Sequence, residues 1–514
     1  MRRKRRTMLK GIAALVLAGT ASAAPAAPVV HTRLGDLAGI AQDRTEAFLG
    51  IRYAEPPTGA RRWRSPLPIK GWQGVRPAQA FGHSCWQAVT PEGFGPWTHE
   101  YVTQGDVSED CLFLNVWAPA RAKRKLPVLV WIYGGGFNSG SGALPIYDGR
   151  ALAARGIIVV NFNYRVGPFG FLAHPDLTRE ARGGPNANFG LQDMIAALKW
   201  VRANIAAFGG DPNAVTIAGQ SAGSMAVHDL VASPLAKGLF ARAIGESGLP
   251  DPARAPTLAA AEADGVAFAR SKGADTIAAL RAMPAEALAA SKGGNAMRFG
   301  PVFDGVLLQG AAPVSHVPML VGFTADEGSA LGHDYGSSDP AQLRELLHAS
   351  FGAADARFAP FYPAATDAER AESNRQIRRD RGAGALLAWA ARRGPSPVFA
   401  YLWTHVEPGP QADRWRAFHS SEIPYVFQTL DAAPERDFTP ADRALSDRIS
   451  TYWLNFVRTG NPNSAGLPRW PRFDPAAPRI QMIDATIRTQ PLLPPNKLAA
   501  MRALIAQGGY LSIF

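Results

Sequence analysis

Residues 216–224 read Thr-Ile-Ala-Gly-Gln-Ser-Ala-Gly-Ser, and few backbone arrangements suit them. A short apolar strand must run straight into a bend so tight that glycine is required on both sides of the central serine. In such a Gly-x-Ser-x-Gly turn Ser221 is lifted clear of a sheet edge, and the glycines at 219 and 223 keep neighbouring side chains away from it. The stretch therefore predicts a strand, a sharp turn and a helix, with a hydroxyl where a nucleophile would sit.

The flanking segments repeat that grammar. Residues 128–133 and 156–164 are near-continuous apolar runs bounded by turn residues, too apolar to be half exposed, and are expected as buried parallel strands. Residues 193–208 carry apolar side chains at 195, 198, 201, 205 and 208, a helical stripe ending at Gly209-Gly210. With a strand at 215–218 and a helix at 221–231, the pattern predicts an α/β fold, a large, mostly parallel, doubly wound sheet. Further strands are expected at 241–244, 319–323 and 398–406, and an amphipathic helix at 442–459. Alanine-rich residues 250–290 and the stretch 339–393 read as helical insertions over the edge of the sheet where such folds bind ligands. Residues 48–59 end in Pro56-Pro57-Thr58-Gly59 and read as a strand of a small N-terminal sheet element.

Two other stretches bear on chemistry. Gly134-Gly135-Gly136 lacks side chains, which leaves backbone N–H groups free to face a bound atom. The segment between Cys85 and Cys111 is rich in Gly, Pro and aromatics and reads as a packed surface loop. Its Trp86, Phe94, Trp97 and Tyr101 are expected to fill the loop itself rather than rim a pocket.

The formal charge of +12 suggests a nucleic-acid partner until its location is considered: Arg2, Arg3, Lys4, Arg5, Arg6 and Lys10 account for half of it. The remaining basic residues are scattered, without a block interleaved with aromatics, so no nucleic-acid partner is expected. The basic run, the apolar residues 11–18 and Ala21-Ser22-Ala23 read as a signal peptide over residues 1–23. Arg5-Arg6-Thr7-Met8-Leu9-Lys10 is similar to a bacterial twin-arginine signal. An exported protein of the periplasm or the medium is expected, with residues 24–514 as one catalytic domain. No later segment has about eighteen uninterrupted apolar residues, so no membrane span is expected. In an oxidising compartment the only two cysteines, Cys85 and Cys111, are expected to pair, contributing roughly 3 to 4 kcal/mol by loop closure. No His or further Cys cluster stands at ligand spacing, so no metal is expected; acyl-enzyme chemistry on a serine needs no cofactor, and none is expected.

A serine hydroxyl needs a base, and the base needs a carboxylate to hold it in the right tautomer. Ser221, Glu327 and His419 follow one another along the chain, each just past an expected strand. Glu109-Asp-Cys-Leu-Phe-Leu-Asn-Val116, the Gly134 to Phe137 run, Asn188-Phe-Gly-Leu-Gln-Asp193, Phe208-Gly-Gly-Asp-Pro212 and Gly219-Gln-Ser-Ala-Gly223 continue in order. Phe299-Gly-Pro-Val-Phe-Asp-Gly305, Asp326-Glu-Gly328 and Asn455-Phe-Val-Arg-Thr-Gly-Asn-Pro-Asn463 complete the series. Together they resemble the type-B carboxylesterase/lipase family of the α/β-hydrolase superfamily from about residue 30 to 510.

The resemblance implies hydrolysis of a small-molecule carboxylic ester through an acyl-enzyme. Ser221 would be the nucleophile, His419 the base and then the acid, and Glu327, in preference to the neighbouring Asp326, the orienting carboxylate. It also implies an oxyanion hole from the N–H groups of Gly135, Gly136 and Ala222, with Tyr133 where a histidine often precedes the glycines. Ser247 would be a second buried serine in support, preceded by Glu246 where glutamine is commoner; Ser420 replaces a usual glycine. An Arg62–Glu109 salt bridge and the Cys85–Cys111 disulfide match the family too. Gln220 is neutral where cholinesterases carry glutamate, which argues against choline esters. Two alternatives are a hydrolase of a bulky or polycarboxylate ester or amide, such as a toxin or secondary metabolite, and a non-catalytic binding module; modules of that kind typically lose the nucleophile.

Overall fold

The computed structural model describes residues 27–120, 124–249, 256–289, 299–310, 314–509 and 511–513; the expected leader at residues 1–23 lies outside them. Its centre is an eleven-stranded sheet. In chain order the strands are β1 (Ile40–Gln42), β2 (Thr45–Arg52), β3 (Phe113–Pro119), β4 (Leu126–Ile132), β5 (Ile158–Phe162) and β6 (Gly210–Gln220). They are followed by β7 (Arg242–Glu246), β8 (Met319–Thr324), β9 (Val398–Trp403), β10 (Arg479–Ile483) and β11 (Arg488–Pro491). Their spatial order is β11-β10-β9-β8-β7-β6-β4-β5-β3-β2-β1. The stretch from β10 to β5 is parallel throughout, and antiparallel strands close both edges.

The expected apolar runs become the middle of this sheet because every residue of β5 and β8 is buried, which demands cover on both faces. That cover comes from helices including α1 (Phe189–Asn204), α2 (Ala222–Ala232) and α6 (Pro440–Thr459). The helical insertions form as expected. One carries α3 (Leu258–Ser271), and the other carries α4 (Pro340–Phe351) and α5 (Asp367–Ala390). A terminal helix, α7 (Pro495–Ala506), follows β11. Helix α5 starts on a Thr366–Glu369 capping box. It docks beside the end of β8, where Arg379 Nε donates to the Ala325 carbonyl at 3.2 Å.

One expectation is corrected. Residues 48–52 are not part of a separate N-terminal sheet; they belong to β2, which pairs antiparallel with β3, Phe48 facing Val116. The reason is burial: Ala47, Phe48 and Ile51 are all in the core, and a small detached element could not cover them. A separate three-stranded sheet does exist, built from Val29–His31, Asp36–Ala38 and Val75–Pro77.

Candidate active site

Strand β6 ends at Gln220, and the chain turns within a single residue: Ser221 has φ 58° and ψ −125°, and α2 begins at Ala222. A non-glycine residue rarely holds this conformation, so the surroundings must over-determine it. They do: the Ser221 N–H donates to the Glu246 carbonyl at 2.8 Å, and the Ser221 carbonyl accepts from Met225 N–H at 3.0 Å. The flanking glycines are required for space. A Cβ at Gly219 would stand 2.5 Å from the Gly223 carbonyl oxygen, and one at Gly223 only 2.0 Å from that of Ile132.

Glu327 opens a short helical turn just past β8. Its Oε1 accepts from Thr324 N–H at 2.8 Å, and its Oε2 accepts from His419 Nδ1. Both side chains are buried. His419 lies in the loop beyond β9, where its carbonyl accepts from Trp97 Nε1 at 3.2 Å and its ring meets that indole edge to face, centroids 6.4 Å apart. The other ring nitrogen, Nε2, lies 3.1 Å from the amide Nε2 of Gln220. An amide nitrogen only donates, so His419 Nε2 presents its lone pair while Nδ1 carries the proton to Glu327. This is the tautomer a general base requires.

Asp326 points elsewhere. Its carboxylate takes the Tyr335 hydroxyl, Arg416 Nε at 3.1 Å and Ala417 N–H at 3.2 Å, which braces the loop leading to His419. The glycine run follows β4. Gly135 and Gly136 have φ of 98° and 63°, a left-handed region that glycine enters without strain. Among the described residues neither N–H donates to another protein group. Tyr133 faces away from them: it stacks on Tyr164 at 4.4 Å, and each hydroxyl bonds the other's carbonyl.

Ser221, Gln220, His419 and residues 134–136 share one cavity of about 340 Å³. Phe94, Trp97 and Tyr101 reach it from the disulfide loop, and Leu144, Tyr147, Leu331 and Ile423 complete its apolar wall. Among the described residues no Asp, Glu, Lys or Arg lines it. The expectation that those three loop aromatics fill the loop itself is therefore corrected: they line the cavity, where Trp97 packs against the His419 ring. Trp86 alone stays beneath the disulfide, near Arg62 and Phe169. The Cys85–Cys111 disulfide is present, Cα atoms 4.9 Å apart. Arg62 Nε donates to Glu109 at 2.6 Å, and its Nη1 bonds the carbonyls of Leu280, Arg281 and Met283. That arginine ties the base of the loop to the first helical insertion.

The Ser247 hydroxyl lies 3.5 Å from Glu422 Oε1, which also accepts from Tyr401 at 3.2 Å. Glu246 Oε1 accepts from Trp453 Nε1 at 2.7 Å. The second carboxyl oxygen of each glutamate is buried without a partner. Burial, then the charge of Glu327, pushes Glu422 up to about 7, and burial with repulsion from Glu422 raises Glu246 well above the carboxylate range. Sequence reasoning missed this pair as a unit, although Glu422 stands three residues after His419 and Glu246 one before Ser247.

A parallel sheet bearing a serine elbow after β6, a carboxylate after β8 that bonds a histidine after β9, and free glycine N–H groups beside them define an α/β-hydrolase. The sequence model of the carboxylesterase family matches residues 26–361 and 383–499, and the chain belongs to that family as a hydrolase of carboxylic esters. It is 38% identical over 473 residues to the fumonisin B1 esterase of Sphingopyxis macrogoltabida, covering 87% of this chain and 84% of that protein. It is 35% identical over 495 residues to the para-nitrobenzyl esterase of Bacillus subtilis, covering 89% and 95%. A solved PNB esterase structure superposes with a TM-score of 0.77 at 33% identity, covering 92% of this chain and 99% of that one. Among the described residues no helix is long and apolar enough to cross a membrane.

Proposed function

We propose that Ser221, His419 and Glu327 form the catalytic triad of this carboxylesterase and that its substrates are uncharged esters. Ser221 Oγ attacks the ester carbonyl while His419 Nε2 takes its proton. Glu327 stabilises the imidazolium that results. The oxyanion accepts from the N–H groups of Gly135, Gly136 and Ala222, each donor contributing roughly 3 to 4 kcal/mol when judged by its loss. His419 returns the proton to the leaving alcohol, and water, deprotonated by the same nitrogen, releases the acid. Gln220 holds the Nε2 lone pair in the resting enzyme and yields it to the serine, a positioning role rather than a catalytic one. Ser247 acts through Glu422.

The observation that carries this reading is the histidine bonded on one nitrogen to Glu327 and facing, with the other, the side chain next to Ser221. The described cavity wall, which carries no Asp, Glu, Lys or Arg, favours neutral acyl and alcohol groups over a polycarboxylate ester, whose charges would be desolvated against it. Residues 24–514 act as one catalytic unit, supported by a single sheet that takes strands from residue 40 to residue 491. Export from a bacterial cytoplasm by the leader at residues 1–23, with a twin-arginine signal, is supported by the disulfide.

Turnover of p-nitrophenyl acetate by the wild type and by Ser221→Ala tests the assignment. The variant is expected to lose at least about 10⁴-fold in kcat; unchanged turnover overturns it. Comparable rates on a monoester and its dicarboxylate analogue would overturn the substrate preference alone.

A further inference from the structure

Among the described residues one group of three His and carboxylate side chains has ligand atoms mutually close enough to hold an ion: His99, Glu100 and Glu435, all within 4.8 Å of one another. We propose that these three residues bind one divalent transition-metal ion, zinc in tetrahedral coordination with water as the fourth ligand.

The geometry is near that of a filled site. His99 Nδ1 lies 3.3 Å from Glu435 Oε1 and 3.6 Å from Glu100 Oε2. Zinc bound at about 2.0 to 2.2 Å to nitrogen and oxygen separates neighbouring ligand atoms by about 3.3 Å. Coordination requires the two exposed side chains, His99 and Glu435, to draw in from separations that are at most 4.8 Å.

Glu100 supplies an independent pointer. Its side chain is 1% exposed, yet Oε2, the oxygen directed at His99, is buried with no hydrogen-bond partner. An unsatisfied buried carboxylate oxygen is costly, and a cation at this spot removes that cost. Its other oxygen is already fastened, accepting from Arg436 Nε at 2.8 Å and from the Thr98 hydroxyl at 2.7 Å. Such second contacts orient a ligating carboxylate. His99 and Glu435 are 49% and 44% exposed, which opens a path for the ion from solvent. A nitrogen donor with only two carboxylates suits zinc, cobalt or nickel; calcium would require six or more oxygens.

The site would join the His99–Tyr101 turn of the disulfide loop to the Pro434–Arg436 turn. Tyr101 and, two residues before His99, Trp97 line the substrate cavity. An ion here pins the cavity rim while standing outside the reacting groups.

The test uses the whole chain, stripped with a chelator and titrated with Co²⁺ at pH 7.5, then with Zn²⁺ in competition. One equivalent of Co²⁺ should bind with the intense visible bands of tetrahedral coordination, zinc should displace it, and saturating zinc should raise Tm. His99→Ala and Glu435→Gln should each weaken binding more than tenfold while both keep metal-free esterase activity, which shows that they fold. Absence of saturable Co²⁺ uptake by the wild type, or unchanged affinity in either variant, overturns the proposal.

Discussion

Replacing Glu327 by glutamine keeps the shape of the residue and removes its charge, so it isolates what the carboxylate does for His419. In the proposed mechanism the imidazole becomes a cation in the transition state while in contact with Glu327. At a charge separation of about 4 Å and an effective dielectric of about 20, the carboxylate stabilises that cation by about 4 kcal/mol. Each 1.36 kcal/mol is a decade in rate, so kcat on p-nitrophenyl acetate should fall about 10³-fold. KM should stay within a factor of a few, because the lost interaction grows only as charge develops. A glutamine amide donating to Nδ1 adds to the loss by favouring the tautomer with its proton on Nε2, which cannot accept from Ser221. Asp326→Asn is the control: it disturbs the contacts with Arg416 and Ala417 and should lower Tm while leaving kcat within tenfold. A loss below tenfold in Glu327→Gln, or an equal loss in Asp326→Asn, would refute the assignment of Glu327 as the partner of His419.

Replacing both Cys85 and Cys111 by serine should lower stability by about 3 to 4 kcal/mol by the loop-closure estimate; urea unfolding with and without reductant measures it, and the variant should no longer respond to reductant. Stability should also carry a pH signature from Glu422, whose folded value of about 7 exceeds the ordinary 4.5. Between pH 4.5 and 7 the unfolded chain loses this proton while the folded one keeps it, so the contribution is full below 4.5 and declines as pH rises to about 7. In Glu422→Gln, a mimic of the protonated acid, Tm should fall less between pH 5 and 8 than in the wild type; parallel curves would contradict it.

Much of the site was legible because its parts are local. The Gly219 to Gly223 turn, the glycine run after β4 and Glu327 directly before Gly328 each follow a strand, and short-range sterics set their conformation. The disulfide followed from the cysteine count and an oxidising compartment, and the Arg62–Glu109 pair from the family resemblance. A loop's composition carries no direction for its side chains: Phe94, Trp97 and Tyr101 line the cavity, and the loop's contacts with Arg62 and Arg436 are made to segments remote in the chain. A strand's own sequence shows an apolar face but not its neighbour, so residues 48–52 suggest a small N-terminal sheet element although they pair with β3.

The sequence by itself determined the alternation of strands and helices and the serine elbow, because apolar periodicity and glycine requirements act within a few residues, while Glu327 and His419 were candidates through the family resemblance. Only the tertiary structure decided which partners those residues meet. It set Gln220 against His419, gathered Glu246 and Glu422 into one buried pair, and brought Glu435 to His99 and Glu100. Each of these contacts joins segments far apart in the chain, and distance in space between such segments is settled by how the sheet packs, not by any local preference.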